Sequence, residues 1–259
     1  MFIMAVYFLR RLTGRKRTRR ANRQLGCFLA FVAGAVNAGG FLAIKQYTSH
    51  MTGVISSIAD QLVLGDIFLA FAGVCALVAF LCGAATTAIL INWARYRQMH
   101  SEYALSLALE ATLLVVFGLL GANLESYVAV FVPATVILLC YIMGLQNAIV
   151  TKISQAEIRT THVTGLVTDL GIELGKLVYW NRDKSKGSEH FVMANRDKLG
   201  IHALILSMFF VGGVAGAFGF KTFGFIATLP LAFALLFLAL MPILDDIRFY
   251  SRVVRQQGK

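Results

Sequence analysis

Charge is scarce in this chain. Asp, Glu, Lys and Arg make up 14% of its 259 residues, where a soluble domain carries about a quarter. Acid is scarcer still, with 13 Asp and Glu against 24 Lys and Arg, so the formal net charge is +11. A water-facing globule of this size needs more charged surface than that, and a soluble enzyme is excluded on this ground. Catalytic signatures are missing too: there is no Gly-x-Ser-x-Gly nucleophile turn, no His-Glu-x-x-His and no paired-aspartate metal motif. No nucleotide-binding loop occurs, which excludes ATP-driven transport by this chain alone. Cysteine is limited to Cys27, Cys75, Cys82 and Cys140, all inside apolar runs and without metal-ligand or secreted-domain spacing. The expectation is no enzyme, no cofactor and no metal.

What the chain does have is apolar length. It is 58% hydrophobic, with a mean hydropathy of +0.72. Six stretches reach the roughly 20 residues that a helix needs to cross a bilayer: Gln24 to Ile44, Ile67 to Asn92, Tyr103 to Leu124, Ser126 to Thr151, Leu199 to Phe220 and Thr222 to Leu244. Only Glu110 and His202 interrupt them as ionisable groups. Glycines and prolines inside them, such as Gly83, Pro133 and Pro230, are better tolerated in membrane helices than in soluble ones. The lipid bilayer is therefore the first partner.

The basic residues orient the spans. Residues 1–24 hold eight Lys or Arg and no acid, and residues 151–199 hold eight more. Arg95 and Arg97 follow the second span, and Arg248, Arg252, Arg255 and Lys259 occupy the tail. The alternate connections carry almost none, so positive-inside reasoning predicts six crossings with both termini in the cytoplasm. This accounts for the net charge without nucleic acid. The apolar run Met1 to Leu9 precedes the basic cluster, the reverse of a signal peptide's order, and is read as an interfacial or irregular start.

The chain also repeats itself. Gly34-Ala35-Val36-Asn37-Ala38 matches Gly144-Leu145-Gln146-Asn147-Ala148, and Thr48-Ser49-His50-Met51-Thr52-Gly53 matches Thr160-Thr161-His162-Val163-Thr164-Gly165. An Asn, a His, two Thr and two Gly recurring in order mark a duplicated unit. The predicted organisation is a basic arm 1–23, a first repeat 24–121 with motif segment 47–65, a second repeat 122–244 with motif segment 160–178 and cytoplasmic loop 179–198, and a tail 245–259. The motif segments are too polar for lipid-facing spans. They are read as half-helices, since irregular or polar backbone at membrane depth survives only inside protein or along a cavity. The fold class is thus an all-α polytopic bundle of six transmembrane helices plus two motif half-helices. Three crossings per unit make the 3+3 repeat an inverted one. Full crossing by both motif segments would instead give eight spans and parallel repeats.

Candidate site residues follow from the repeat: Asn37, Ser49, His50, Thr52 and Gly53, with Asn147, Thr161, His162, Thr164 and Gly165. Ser49 or Thr161 is placed to cap a helix N-terminus, where free N–H groups and the dipole attract an anion or a solute dipole. Gly53 and Gly165 would admit a close neighbour to the backbone. Asn37 and Asn147 would bond to the broken backbone or to a solute. The same residues would also serve simply to shape a helix break. Two histidines without nearby Cys or carboxylate make a poor metal set. Glu110 is an intramembrane acid expected to face the interior, paired or protonated. Asp169 and Glu173 share a helical face with Lys176 as a local partner. Small residues at Gly212, Gly213 and Gly216 allow close packing, inside the monomer or in a homo-oligomer.

The Gly-x-x-Asn-Ala run, the Ser-His-Met-Thr-Gly element and the stretch Thr-His-Val-Thr-Gly-Leu-Val-Thr-Asp-Leu-Gly-Ile-Glu-Leu-Gly resemble the YoaK-like family of bacterial membrane proteins, over roughly Gly26 to Leu244. The resemblance implies a multi-pass bacterial inner-membrane protein of about six helices and supplies no substrate. That family's pattern has Asp at the position of Asn37 and Asn at that of Val54, so a cation-coupling carboxylate there does not carry over. Two functions fit the sequence: a small secondary transporter or channel for a solute or ion, or a non-transporting scaffold or intramembrane enzyme.

Overall fold

The computed structural model describes residues 18–99, 101–123, 128–153, 163–180 and 192–257, and their regular elements are all helical. Residues 1–17 of the basic arm and residues 181–191 of the loop 179–198 lie outside the described residues. Five stretches are long and apolar enough to cross a membrane: Arg19–Ile44, Ile67–Tyr96, Ala104–Ala122, Val130–Lys152 and Arg196–Ile247. We label the helices α1 (Arg19–Ile44), α2 (Met51–Leu64), α3 (Ile67–Tyr96), α4 (Ala104–Ala122), α5 (Val128–Ile153), α6 (Val163–Val178), α7 (Arg196–Phe223) and α8 (Thr228–Gln257). The last apolar stretch is therefore two helices, α7 and α8, separated by the 3-10 turn Gly224–Ala227.

Local chemistry sets the boundaries. The Thr18 hydroxyl accepts from the Ala21 N–H at 3.2 Å to open α1, and Asn195 caps α7 by accepting from the Lys198 N–H at 3.0 Å. Between α2 and α3 the chain turns in two residues. Gly65 takes a left-handed φ of 81°, and the Asp66 carboxylate accepts from the Leu69 N–H at 3.0 Å.

The helices pack in a regular exchange. α1 lies mainly against α7, α3 mainly against α5, and α4 against α8, while α1 and α5 meet between them. The short helices stay with their own neighbours, α2 on α3 and α6 on α7. Leu25, Leu29, Leu107, Leu114, Met143 and Ile205 fill one continuous interior. The outward faces carry large apolar side chains: Phe68 and Phe71 on α3, Phe210 and Phe218 on α7, Phe233 on α8. In water so much exposed apolar surface would be a liability; against hydrocarbon it is neutral.

Four glycines let the backbones meet. A Cβ on Gly34 of α1 would collide with the Phe209 carbonyl of α7, and one on Gly212 of α7 with the Phe31 carbonyl of α1. The same geometry recurs between α3 and α5, where Gly83 faces the Tyr141 carbonyl and Gly144 faces that of Phe80. In all four cases the glycine meets the carbonyl of an aromatic residue that stands three positions before the partner glycine. Each glycine also lies near the middle of its helix. Lipid offers no hydrophobic drive for helix association, so contact this close supplies the attraction through dispersion and weak Cα–H···O bonds.

The two crossings are finished differently. Next to the α3/α5 crossing the Thr87 hydroxyl donates to the Leu145 carbonyl at 3.0 Å, and the Tyr141 hydroxyl donates to Thr86 at 2.7 Å. At the α1/α7 crossing the corresponding positions hold Gly216 and Phe31. A Cβ on Gly216 would sit 2.5 Å from the Ala35 Cα, so closeness replaces the hydrogen bond.

Candidate functional site

The first motif begins where α1 stops. Lys45 adopts a left-handed φ of 56°, and its N–H donates to the Phe41 carbonyl at 2.8 Å. The chain then doubles back along α1 until Ser49 lies beside Asn37, nearly two turns below the helix end. There the Ser49 hydroxyl donates to Asn37 Oδ1 at 2.9 Å. Thr48 is buried between them and the core, with no hydrogen-bond partner for its hydroxyl.

From this point α2 starts. Met51 and Val54 pack in one cluster with Ala76, Ala79, Phe80, Cys140 and Tyr141, and Ile58 lies against Gly73. Leu64 then turns through Gly65 and Asp66 into Ile67. So α2 runs antiparallel to the first half of α3. Its N-terminus is level with Phe80, at the mid-helix crossing, and its C-terminus is level with the start of α3. At 14 residues it is about 21 Å long, short of the roughly 30 Å of a hydrocarbon core.

Two expectations about this segment need correction. Ser49 is not the N-cap. His50 occupies that position without a side-chain capping bond, because the Ser49 hydroxyl is already given to Asn37. Gly53 does not admit another helix. The His50 ring folds over the first turn, and a Cβ at residue 53 would lie 2.5 Å from its Nδ1. That contact is the physical reason for the His-x-x-Gly spacing in this half.

Of the second motif, Thr161 and His162 lie outside the described residues. Asn147 is buried on α5, and its carbonyl accepts from the Thr151 hydroxyl at 2.8 Å. Thr52, Thr164 and Gly165 are exposed on the faces of α2 and α6 that point away from the bundle. The structure therefore brings Asn37, Ser49, His50 and Gly53 together and sets Thr52 and Thr164 outward. The two motif helices pack on α3 and α7 rather than extensively on one another.

Further along, α6 is pinned to α7 by its acids. Glu173 is buried, accepts from the Asn195 N–H at 2.7 Å and pairs with Lys176 at 2.9 Å. The Asn195 N–H first, then Lys176, hold its carboxyl below the usual range. Asp169 pairs across to Lys198 at 3.2 Å and lies 3.7 Å from His202 Nδ1. The shared face of Asp169 and Glu173 was legible from their spacing; the partners Asn195 and Lys198, across the 181–191 loop, were not. Glu110 is fully buried, and among the described residues neither carboxyl oxygen has a hydrogen-bond partner. Among the described residues no three His, Cys, Asp or Glu side chains gather as a metal site.

Sequence reasoning gave Gly212 and Gly216 a close-packing role, which their contacts with α1 bear out, but it did not see the equivalent crossing at Gly83 on α3. The signal was present: Phe80-x-x-Gly83 recurs as Phe209-x-x-Gly212. Its offset of 129 residues (212 − 83) differs from the 110 (147 − 37) of the Asn motif, because the loop after α6 intervenes.

A family model described as a protein of unknown function (DUF1275) matches residues 25–241. The UPF0700 transmembrane protein YoaK of Bacillus subtilis (strain 168) is 28% identical over 159 residues, 60% of this chain and 68% of the relative. No solved structure matches the chain.

Proposed function

The chain belongs to the DUF1275 family, as a membrane protein similar to YoaK, and from that premise we propose that it is a small secondary transporter or channel. Its solute or ion site is formed at the starts of the two motif helices. The observation that carries this reading is the position of the α2 N-terminus, level with the mid-helix glycine crossing instead of a bundle end. A helix that starts at mid-depth presents free N–H groups and a positive dipole end where lipid-exposed backbone could not survive. Discontinuous helices of this kind form the sites of inverted-repeat transporters.

Several observations support the topology that goes with this reading. Arg196–Ile247 spans 52 residues, about 78 Å of helix, which is over twice a hydrocarbon thickness and accommodates two crossings. With the other four stretches that makes six. The exchanged packing of α1 with α7 and α3 with α5, through equivalent glycine–carbonyl contacts, is what a pseudo-two-fold 3+3 repeat produces. Three crossings per unit invert the second half. The Lys and Arg distribution supports cytoplasmic termini, and the likeness to YoaK supports a bacterial inner membrane.

A second reading, a non-transporting membrane protein, draws on one observation. His50 is folded onto Gly53, and Ser49 is bonded to Asn37, so the motif also serves its own geometry. Flux into proteoliposomes separates the two. Transport of at least one small solute or ion is expected, reduced at least tenfold by Asn37→Ala or His50→Ala in folded protein. No flux across a broad panel of amino acids, sugars and inorganic ions, with these variants indistinguishable from the parent, overturns the transport reading.

A further inference from the structure

Glu110 sits on α4 with no exposure, and both of its oxygens lack a hydrogen-bond partner. Ser106, one turn earlier on the same face, is also fully buried with an unpartnered hydroxyl. The elements packed on α4 bring no counter-charge among the described residues. Arg95 of α3 is engaged by Glu102 and Tyr103 at the bundle end. On α5 the Tyr141 hydroxyl is given to Thr86, Cys140 lies in the cluster beside α2, and Lys152 is exposed near the helix end. On α8 the charged residues are confined to the C-terminal end, Asp245 and Asp246 followed by Arg248, Arg252 and Arg255, and the Asp246 carboxylate accepts from the Ser101 N–H at 2.8 Å just before α4.

Packing does not require an acid here. α8, which lies against α4, serves the same interior with Ala232, Leu235 and Ala239, all buried and apolar. An ionisable group at membrane depth is costly and marks a function. Among the described residues nothing neutralises Glu110, so its oxygens are open to a proton or a cation. A metal cation exchanges its hydration shell for several oxygens, and this face of α4 offers one carboxyl and one hydroxyl. A proton needs one oxygen. We propose that Glu110 is an intramembrane proton-binding site, with Ser106 as its polar neighbour. The site goes beyond the helix-break reading and does not depend on it.

Infrared difference spectra of the full chain in liposomes, taken between two pH values at which it stays folded, test this. A pH-dependent carbonyl band of a neutral carboxyl is expected, lost in Glu110→Gln, moved in Glu110→Asp, and unchanged when sodium replaces choline as the buffer cation. Absence of the band from the parent chain, or its persistence in Glu110→Gln, overturns the proposal. Suppression of the band by sodium overturns it as well and marks a metal-cation site. Because the Asp variant moves the band, the proposal stays testable even if the Gln variant fails to fold. No flux is measured, so a failed proton site and a failed transporter are separate results.

Discussion

Replacing each crossing glycine by alanine probes the fold at its tightest points. In Gly34→Ala, Gly83→Ala, Gly144→Ala and Gly212→Ala the new Cβ faces a backbone carbonyl whose carbon is 2.7 to 2.9 Å away, where ordinary contact begins near 3.4 Å. No rotamer change relieves a clash with backbone, so the two helices must part. Opening a packed interface by even half an ångström forfeits a quarter or more of each dispersion contact along it. Overpacking of this kind costs about 1–3 kcal/mol, against a helix-propensity gain of about 0.5–1 kcal/mol for Gly→Ala. A net loss of about 1–2 kcal/mol is expected for all four. The internal control is on α6: Gly171 and Gly175 have nothing within 4 Å of a built Cβ, so their alanine variants should be neutral or gain about 0.5 kcal/mol. With Cys27, Cys75 and exposed Cys82 replaced by alanine, buried Cys140 serves as the reporter. Heating in detergent with a thiol-reactive fluorophore should show the crossing variants unfolding earlier and the α6 variants unchanged or later. Crossing variants as stable as the α6 variants would refute the claim that glycine closeness holds α1 to α7 and α3 to α5.

Two further outcomes follow from the motif and its tether. The hydrogen bond from Ser49 to Asn37 should give a coupling of about 0.5–1.5 kcal/mol in a double-mutant cycle of Ser49→Ala and Asn37→Ala, read by the same thermal assay; strict additivity would show that the bond contributes nothing. The tether of α6 to α7 should weaken in acid. The Glu173 carboxyl is held below its usual range by the Asn195 N–H and Lys176, so its stabilisation is complete above the ordinary Glu value of about 4.3. It is lost as pH falls through the lower folded value. Limited proteolysis around residues 179–195 should accelerate on that acid limb, and Glu173→Gln should be fast at neutral pH and flat across it.

How much was legible depended on whether the signal was local. The boundary at Asp66 and the pairing of Glu173 with Lys176 rest on residues a few positions apart, and spacing alone revealed them. The Asn37–Ser49 bond was only half readable: both residues stood out in the repeat, but Ser49 had two chemically reasonable partners, its own helix N-terminus and Asn37. Which one it takes depends on how far the chain doubles back along α1. The crossing glycines on α3 and α7 were visible as Phe80-x-x-Gly83 and Phe209-x-x-Gly212, but only the approach of a second helix shows which backbone each glycine meets.

By itself the sequence determined that this chain lives in a bilayer, because the length and purity of apolar runs are properties of single helices meeting lipid. It also writes the Asn-Ala and Thr-x-His-x-Thr-Gly order twice, the observation from which a duplication is read. The tertiary structure decided which helices pair, α1 with α7 and α3 with α5, that α2 begins at mid-height, and that Glu110 finds no partner among the described residues. These depend on groups from about 25 to about 180 residues apart coming within a few ångströms, and no local preference encodes that approach.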